Sequence, residues 1–163
     1  MEEPREIAPT PVPPPLLKDW QWLLLLCAVV VPLRGWLLYN TEVAARDSIG
    51  YIRYALCFDE HSWATVLKSF DQHPGYPAAI WAVSLPVRAV AGETTPELMV
   101  LSAQLVSALA AVLLIWPMYY LGKALLVPAA GFGGTLLFQC LPVSGHHLSD
   151  GISESLFCLW IAS

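Results

Sequence analysis

The sequence predicts an all-α integral membrane protein, built as a polytopic helical bundle. Three observations lead there. Of 163 residues, 56% are hydrophobic and 13% are charged, against about 25% charged in a typical soluble domain. The apolar residues come in runs, where a soluble core would show a periodic stripe: Leu23–Val31 is unbroken, and Leu105–Tyr120 is interrupted only by Ser107 and Pro117. Several segments approach the roughly 20 mostly apolar residues that cross a hydrocarbon core.

Residues 1–19 form a tail. Met1–Pro15 is acidic and proline-rich and lacks the basic region and small-residue cleavage site of a signal peptide. Proline and charge deny it a packed core, so it is expected to be disordered. The first span covers 20–39, with Trp20, Trp22, Trp36 and Tyr39 near its ends, where amphipathic rings favour the interface. Arg34 is expected to snorkel to the headgroups. A polar loop, Thr41 to Tyr76, follows. The second span, 77–92, is short and carries Pro86 and Arg88; the third, 98–126, is broken near Pro117. The fourth, 127–144, holds Gly131, Gly133 and Gly134, which favour close helix contact in membranes. A polar turn then leads to Asp150 and a last apolar segment that stops at Ser163, too short to cross. The expectation is an N-terminal part of a longer protein, inactive by itself.

The net charge of −5 comes without a basic block, which argues against nucleic acid as a partner. Cys27, Cys140 and Cys158 lie in apolar segments and read as small hydrophobes. Cys57 has no evident partner, and no metal spacing or disulfide framework is present. Basic residues are too evenly spread to orient the chain. If 77–92 crosses fully, Asp47 and Asp150 fall on opposite faces; if it is shallow, they share one.

Three polar clusters carry the candidate chemistry. In the first, helical spacing puts Asp47 and Tyr51 on one face with Tyr54 adjacent. Ile49, Ile52 and Leu56 form an apolar strip suited to a juxtamembrane helix in the first external loop. A carboxylate at that boundary can act as general base; the competing reading, which the segment alone favours, is an N-cap. Arg46 and Arg53 flank it and suit phosphate contact, or simply the headgroups of membrane lipids. The second cluster is His73-Pro74-Gly75-Tyr76-Pro77, whose prolines suit a helix start. His73 and Tyr76 can donate hydrogen bonds to phosphate or sugar, or serve only as a turn with interfacial aromatics. In the third, Asp150 and Glu154 are four apart and head an apolar segment behind His146-His147. Ionisable groups at membrane depth are usually functional, and a helix cap is the alternative. A divalent metal near Asp47 and Asp150 is left open, since the spacing matches no specific site.

Taken in order, these motifs resemble the N-terminal part of the GT-C glycosyltransferases. The likeness is closer to the bacterial family that includes protein O-mannosyltransferase-like and aminoarabinose-transferase-like enzymes. The residues that carry it are Asp47, Tyr51 and Ala55; His73, Pro74, Tyr76 and Pro77; and Ser149, Asp150, Glu154, Leu156 and Phe157, within residues 20–163. The resemblance implies a GT-C-type bundle in the bacterial inner membrane, with a cytoplasmic tail and an extracytoplasmic loop. It also implies a polyprenyl-phosphate-linked sugar donor and Asp47 as the base of an inverting transfer to an acceptor hydroxyl. Arg46, Tyr51, Arg53, His73, Tyr76, Asp150 and Glu154 are then expected to bind donor or acceptor. Ser48 stands where the family often has glutamate, and Asp150 is the expected substitute for that second carboxylate. Gly75 stands where a second proline is common. Two other classes stay open: a transporter or flippase-like protein for a lipid-linked substrate, and a non-enzymatic membrane scaffold.

Overall fold

The computed structural model describes residues 17–40, 46–141 and 153–163, with side chains in the segment that begins at 46 described from Ser48 onward. The expected tail is described only from residue 17. Among the described residues the fold is all-helical, with no strand. The helices are α1 (Asp19–Asn40), α2 (Arg46–Glu60), α3 (Trp63–Ser69), α4 (Gly75–Ala91), α5 (Pro96–Leu113), α6 (Ile115–Leu125), α7 (Pro128–Cys140) and α8 (Glu154–Ala162).

Two of these runs are long and apolar enough to cross a membrane: α1, and the 30-residue run Pro96–Leu125 formed by α5 and α6. The break expected near Pro117 falls at Leu114. Pro117 has no N–H to give the Leu113 carbonyl four residues back, so the helix is weakened just ahead of it. The bonds Leu114 N to Ala110 O (2.9 Å) and Met118 N to Leu114 O (3.2 Å) keep the two halves joined. The other two expected spans come out short. Helix α4 has 17 residues and α7 has 13, or about 26 and 20 Å at 1.5 Å per residue, against a core of about 30 Å. Residues 142–144 of the expected fourth span lie outside the described residues.

Local chemistry sets the boundaries. Thr95 caps α5, its hydroxyl accepting from Leu98 N at 3.4 Å, with Pro96 at the first turn. Ser62 caps α3 through Thr65 N in the same way. Gly92 ends α4 at φ 76°, donating its N–H to Arg88 O, a left-handed position that glycine occupies without steric cost.

Packing is arranged around the α5–α6 rod. Ala55, Tyr76, Ile80, Met99, Ala103 and Val106 form one cluster joining α2, α4 and α5. Leu23, Leu26, Val30, Ile115 and Tyr119 form another between α1 and α6. Tyr54, Phe58 and Val66 seat α3 under α2. Gly122 and Gly131 bring α6 and α7 together backbone to backbone: a Cβ on Gly131 would lie 2.5 Å from Tyr119 O and 2.9 Å from Lys123 N. The start of α1 is tied to the same hairpin, since Tyr119 Oη and Lys123 Nζ both donate to Asp19.

Two expectations are corrected. Arg34 does not reach the headgroups; it is 3% exposed, and its Nη2 donates to the carbonyl oxygen and Oε1 of Gln139. The last carbonyls of α7 have no intrahelical donor and favour a nearby cation, so the guanidinium turns inward to them. Trp22 is half-buried and packs on Phe132 at 4.9 Å between centroids, whereas Trp20, Trp36 and Tyr39 are exposed. The Ile49–Ile52–Leu56 strip is only partly outward. Ile52 and Leu56 pack against the α4–α5 cluster, leaving Ile49 exposed.

Candidate functional site

The starts of α4 and α8 converge on the first turns of α2 and enclose a cavity of about 420 Å³. Its walls are Tyr51 from α2; His73, Gly75 and Tyr76 at the head of α4; and Ser153, Glu154, Leu156, Phe157 and Trp160 around α8. Four of the residues expected to bind donor or acceptor therefore meet here: Tyr51, His73, Tyr76 and Glu154. They come from segments about a hundred positions apart in the chain.

Tyr76 is the fixed point. It is buried, and its hydroxyl donates to Ala103 O (3.1 Å) and pairs with Ser107 Oγ (2.8 Å) on α5. Pro74 and Pro77 set the chain into α4, with Ala78 N bonded to Pro74 O at 2.9 Å, as suits prolines at a helix start. Tyr51 stands edge to face against Tyr76, and its hydroxyl lies 3.4 Å from Ser153 Oγ. Glu154 is near enough to act electrostatically on the Tyr76 phenol. Helix starts favour negative charge, so the heads of α4 and α8 make the polar end receptive to an anion.

Away from this polar end the cavity becomes apolar. Phe157 and Trp160 are largely exposed, and Trp160 also lines a second depression of about 320 Å³ with Leu113, Trp116, Pro117 and Leu159. The site thus offers an imidazole, a carboxylate and phenols for hydrogen bonding or proton transfer, continuous with aromatic surface.

A surface tie holds α2 in place. Asp59 accepts from Trp81 Nε1 (2.7 Å) and from Arg88 Nη1 and Nη2 (2.5 and 3.3 Å) on α4. The Arg88 guanidinium, assisted by the indole, holds the Asp59 carboxyl below its usual range. By locking α2 against α4, this pair fixes the Tyr51–Tyr76 contact.

The other expected residues stand as follows. Arg53 is not brought to this cavity; it lines a separate groove of about 490 Å³ with Ile49, Ile52, Leu56 and the start of α5. Arg46 and Asp47 occupy the first two positions of α2, and their side chains lie outside the description. Asp150 lies outside the described residues, as do His146 and His147. The contact of Tyr51 with Ser153 brings the front of α2 beside the front of α8. Among the described residues no group of three His, Cys, Asp or Glu could hold a metal ion.

Sequence reasoning missed Ser153 and Trp160 as cavity residues and used Phe157 only as a motif position. A signal was present: Glu154, Phe157 and Trp160 recur every three residues, one face of a helix. Comparison of the chain with protein-family models, with curated proteins and with solved structures finds no match in any of the three.

Proposed function

We propose that the chain belongs to a multi-pass GT-C glycosyltransferase of the cell membrane, transferring a sugar from a polyprenyl-phosphate-linked donor to an acceptor hydroxyl. One observation carries this reading. Tyr51, His73 and Tyr76, and Glu154, which belong to three motifs of the resemblance, line a single cavity with a polar head and an aromatic flank. An amphiphile with a sugar phosphate at one end and a hydrocarbon tail at the other suits such a gradient.

In the proposed reaction Asp47 takes the proton of the acceptor hydroxyl. The hydroxyl oxygen attacks the anomeric carbon, the bond from that carbon to the phosphate oxygen breaks, and polyprenyl phosphate leaves with the electron pair. The sugar configuration inverts. Asp47 stands four residues before Tyr51 on α2, hence one turn away on the same face, which supports its nomination as base. His73 and Tyr51 would hold the sugar or phosphate by hydrogen bonds, Arg46 would contact the phosphate, and Glu154 would orient the acceptor. The test is sugar transfer from a polyprenyl-phosphate donor in membranes containing the native gene product, with and without Asp47→Asn. Loss of transfer with membrane insertion intact is expected; full activity in the variant overturns the assignment.

A second reading has one specific observation in its favour. Arg34 is a cation buried inside a span, and such groups often mark transport pathways. A flippase-like protein would move a lipid-linked substrate across vesicles without consuming it, which the same donor preparation distinguishes.

A further inference from the structure

The groove between α2 and the start of α5 holds about 490 Å³ and plays no part in the proposed reaction. Its floor is apolar: Ile52 and Leu56 of α2 pack with Met99 of α5, and Val100 extends the wall. Ile49, 53% exposed, continues this surface outward. One charge borders it. Arg53 is exposed and, among the described residues, takes part in no ion pair or hydrogen bond. The carboxylates nearest in sequence to the start of α5, Glu93 and Glu97, do not line the groove. Glu97 instead engages Thr95 and its own backbone N–H. At 1.5 Å per residue the 30-residue run Pro96–Leu125 is about 45 Å long, close to the thickness of a bilayer with its headgroups included. Thr94, Thr95 and Pro96 all border the groove. With the run placed across a membrane, Arg53 therefore stands at headgroup level, and Met99 and Val100 lie one turn further in.

We propose that this groove is a site for an anionic phospholipid, with an acyl chain on the Ile52–Leu56–Met99–Val100 floor and the phosphodiester on Arg53. Covering the floor with hydrocarbon gains free energy in proportion to the apolar area removed from water. The guanidinium fork matches the phosphate oxygens. A free phosphate would use only the second of these contacts, and a zwitterionic lipid adds a cation beside Arg53. The proposal rests on the membrane placement of the Pro96–Leu125 run and not on sugar transfer, since the Tyr51–Glu154 cavity is lined by different residues.

The test is thermal unfolding of the full chain in detergent micelles carrying phosphatidylglycerol, phosphatidylcholine with the same acyl chains, or inorganic phosphate. Phosphatidylglycerol is expected to raise Tm saturably by about 2–4 °C, as a ligand bound only by the folded state requires. Phosphatidylcholine should do less, and inorganic phosphate nothing. Arg53→Gln should raise the half-saturating phosphatidylglycerol fraction about fivefold, the worth of one cation at an anionic surface, while Arg53→Lys keeps most of the preference. Lys68→Gln removes an exposed cation of α3 that does not line the groove and should leave the response as in the wild type. Equal gains from the two phospholipids overturn the proposal, as do equal losses of response in Arg53→Gln and Lys68→Gln, which mark diffuse surface charge. Stabilisation by inorganic phosphate alone, or by polyprenyl phosphate with none by phosphatidylglycerol, overturns the choice of ligand. Resistance to alkaline carbonate extraction from native membranes is measured alongside. Release of the chain overturns the membrane placement, whereas retention without a lipid preference overturns the site alone.

Discussion

Tyr51 and Tyr76 meet edge to face, with ring centroids 5.2 Å apart and planes inclined by 79°. The pair joins the front of α2 to the front of α4 across the whole of α3. Contacts of this geometry contribute about 0.5–1.5 kcal/mol beyond the area they bury. The two rings are not equivalent: Tyr76 is anchored to α5 through its hydroxyl, while the Tyr51 hydroxyl faces the cavity.

That asymmetry predicts different costs for removing each hydroxyl. Tyr76→Phe loses the bonds to Ala103 and Ser107 and should destabilise the fold by about 1–2 kcal/mol. Tyr51→Phe, which forfeits only a long contact with Ser153, should cost under about 0.5 kcal/mol. Denaturant or thermal unfolding in detergent measures both, and a larger loss at Tyr51 than at Tyr76 would contradict the anchoring role.

The α6–α7 hairpin gives an internally controlled comparison. Gly131→Ala drives a methyl group onto backbone atoms of Tyr119 and Lys123, which side-chain motion cannot relieve, so a loss of about 1–3 kcal/mol or more is expected. Gly133→Ala and Gly134→Ala meet open space and should be neutral or gain up to about 1 kcal/mol from helix propensity. The same unfolding assay reads all three.

Asp59 sets a pH dependence of definite sign. Its carboxyl is held low in the folded chain by Arg88 first and by Trp81. The stabilisation is therefore fully present above the unfolded carboxylate pKa of about 3.9 and is lost as pH falls through the folded value. The carboxylate is about one-third exposed, so solvent screening limits the contribution to about 0.5–1 kcal/mol. Unfolding curves at pH 7 and below pH 4 should converge in Asp59→Asn relative to the wild type.

For the proposed transfer, Asp47→Asn should lower the rate by about 10²–10⁴, the usual worth of a general base. Glu154→Gln should act mainly on acceptor KM, because the amide keeps the shape of the carboxylate and loses its charge. Steady-state kinetics in native membranes separates the two, and equal effects on kcat would contradict the division of roles.

Much of this was legible in the chain and some of it was not, for identifiable reasons. The long apolar runs of 20–39 and 98–126 were readable because they satisfy length and hydropathy by themselves. Helix α7 was overestimated because apolar composition continues past Cys140, although Pro142 directly after the C-cap Leu141 is a stop signal that biases the preceding residue away from helix. Arg34 was misread because its partner, Gln139, is a neutral residue 105 positions away; snorkelling is a local expectation and this bond is not local. Asp59, Trp81 and Arg88 look like unrelated surface residues until α2 lies on α4. In the site, Tyr51, His73, Tyr76 and Glu154 were nominated from motif order, which survives without three-dimensional knowledge. Ser153 and Trp160 needed the direction of α8, and Arg53 shares a helix with Tyr51 but lines the groove beside the start of α5.

Pro117 gives the α5–α6 rod one carbonyl, that of Leu113, without its helical donor. Elsewhere along thirty residues, bending has to break a hydrogen bond; at this level it does not. Leu113, Trp116 and Pro117 all border the depression that Trp160 shares with the cavity. A change of a few degrees in the rod would therefore move the aromatic flank of the cavity relative to its polar head, and adjust the length of molecule the two together can accept. The α5–α6 rod carries this break beside the cavity, so the reach of the cavity and the angle of the helix are mechanically coupled.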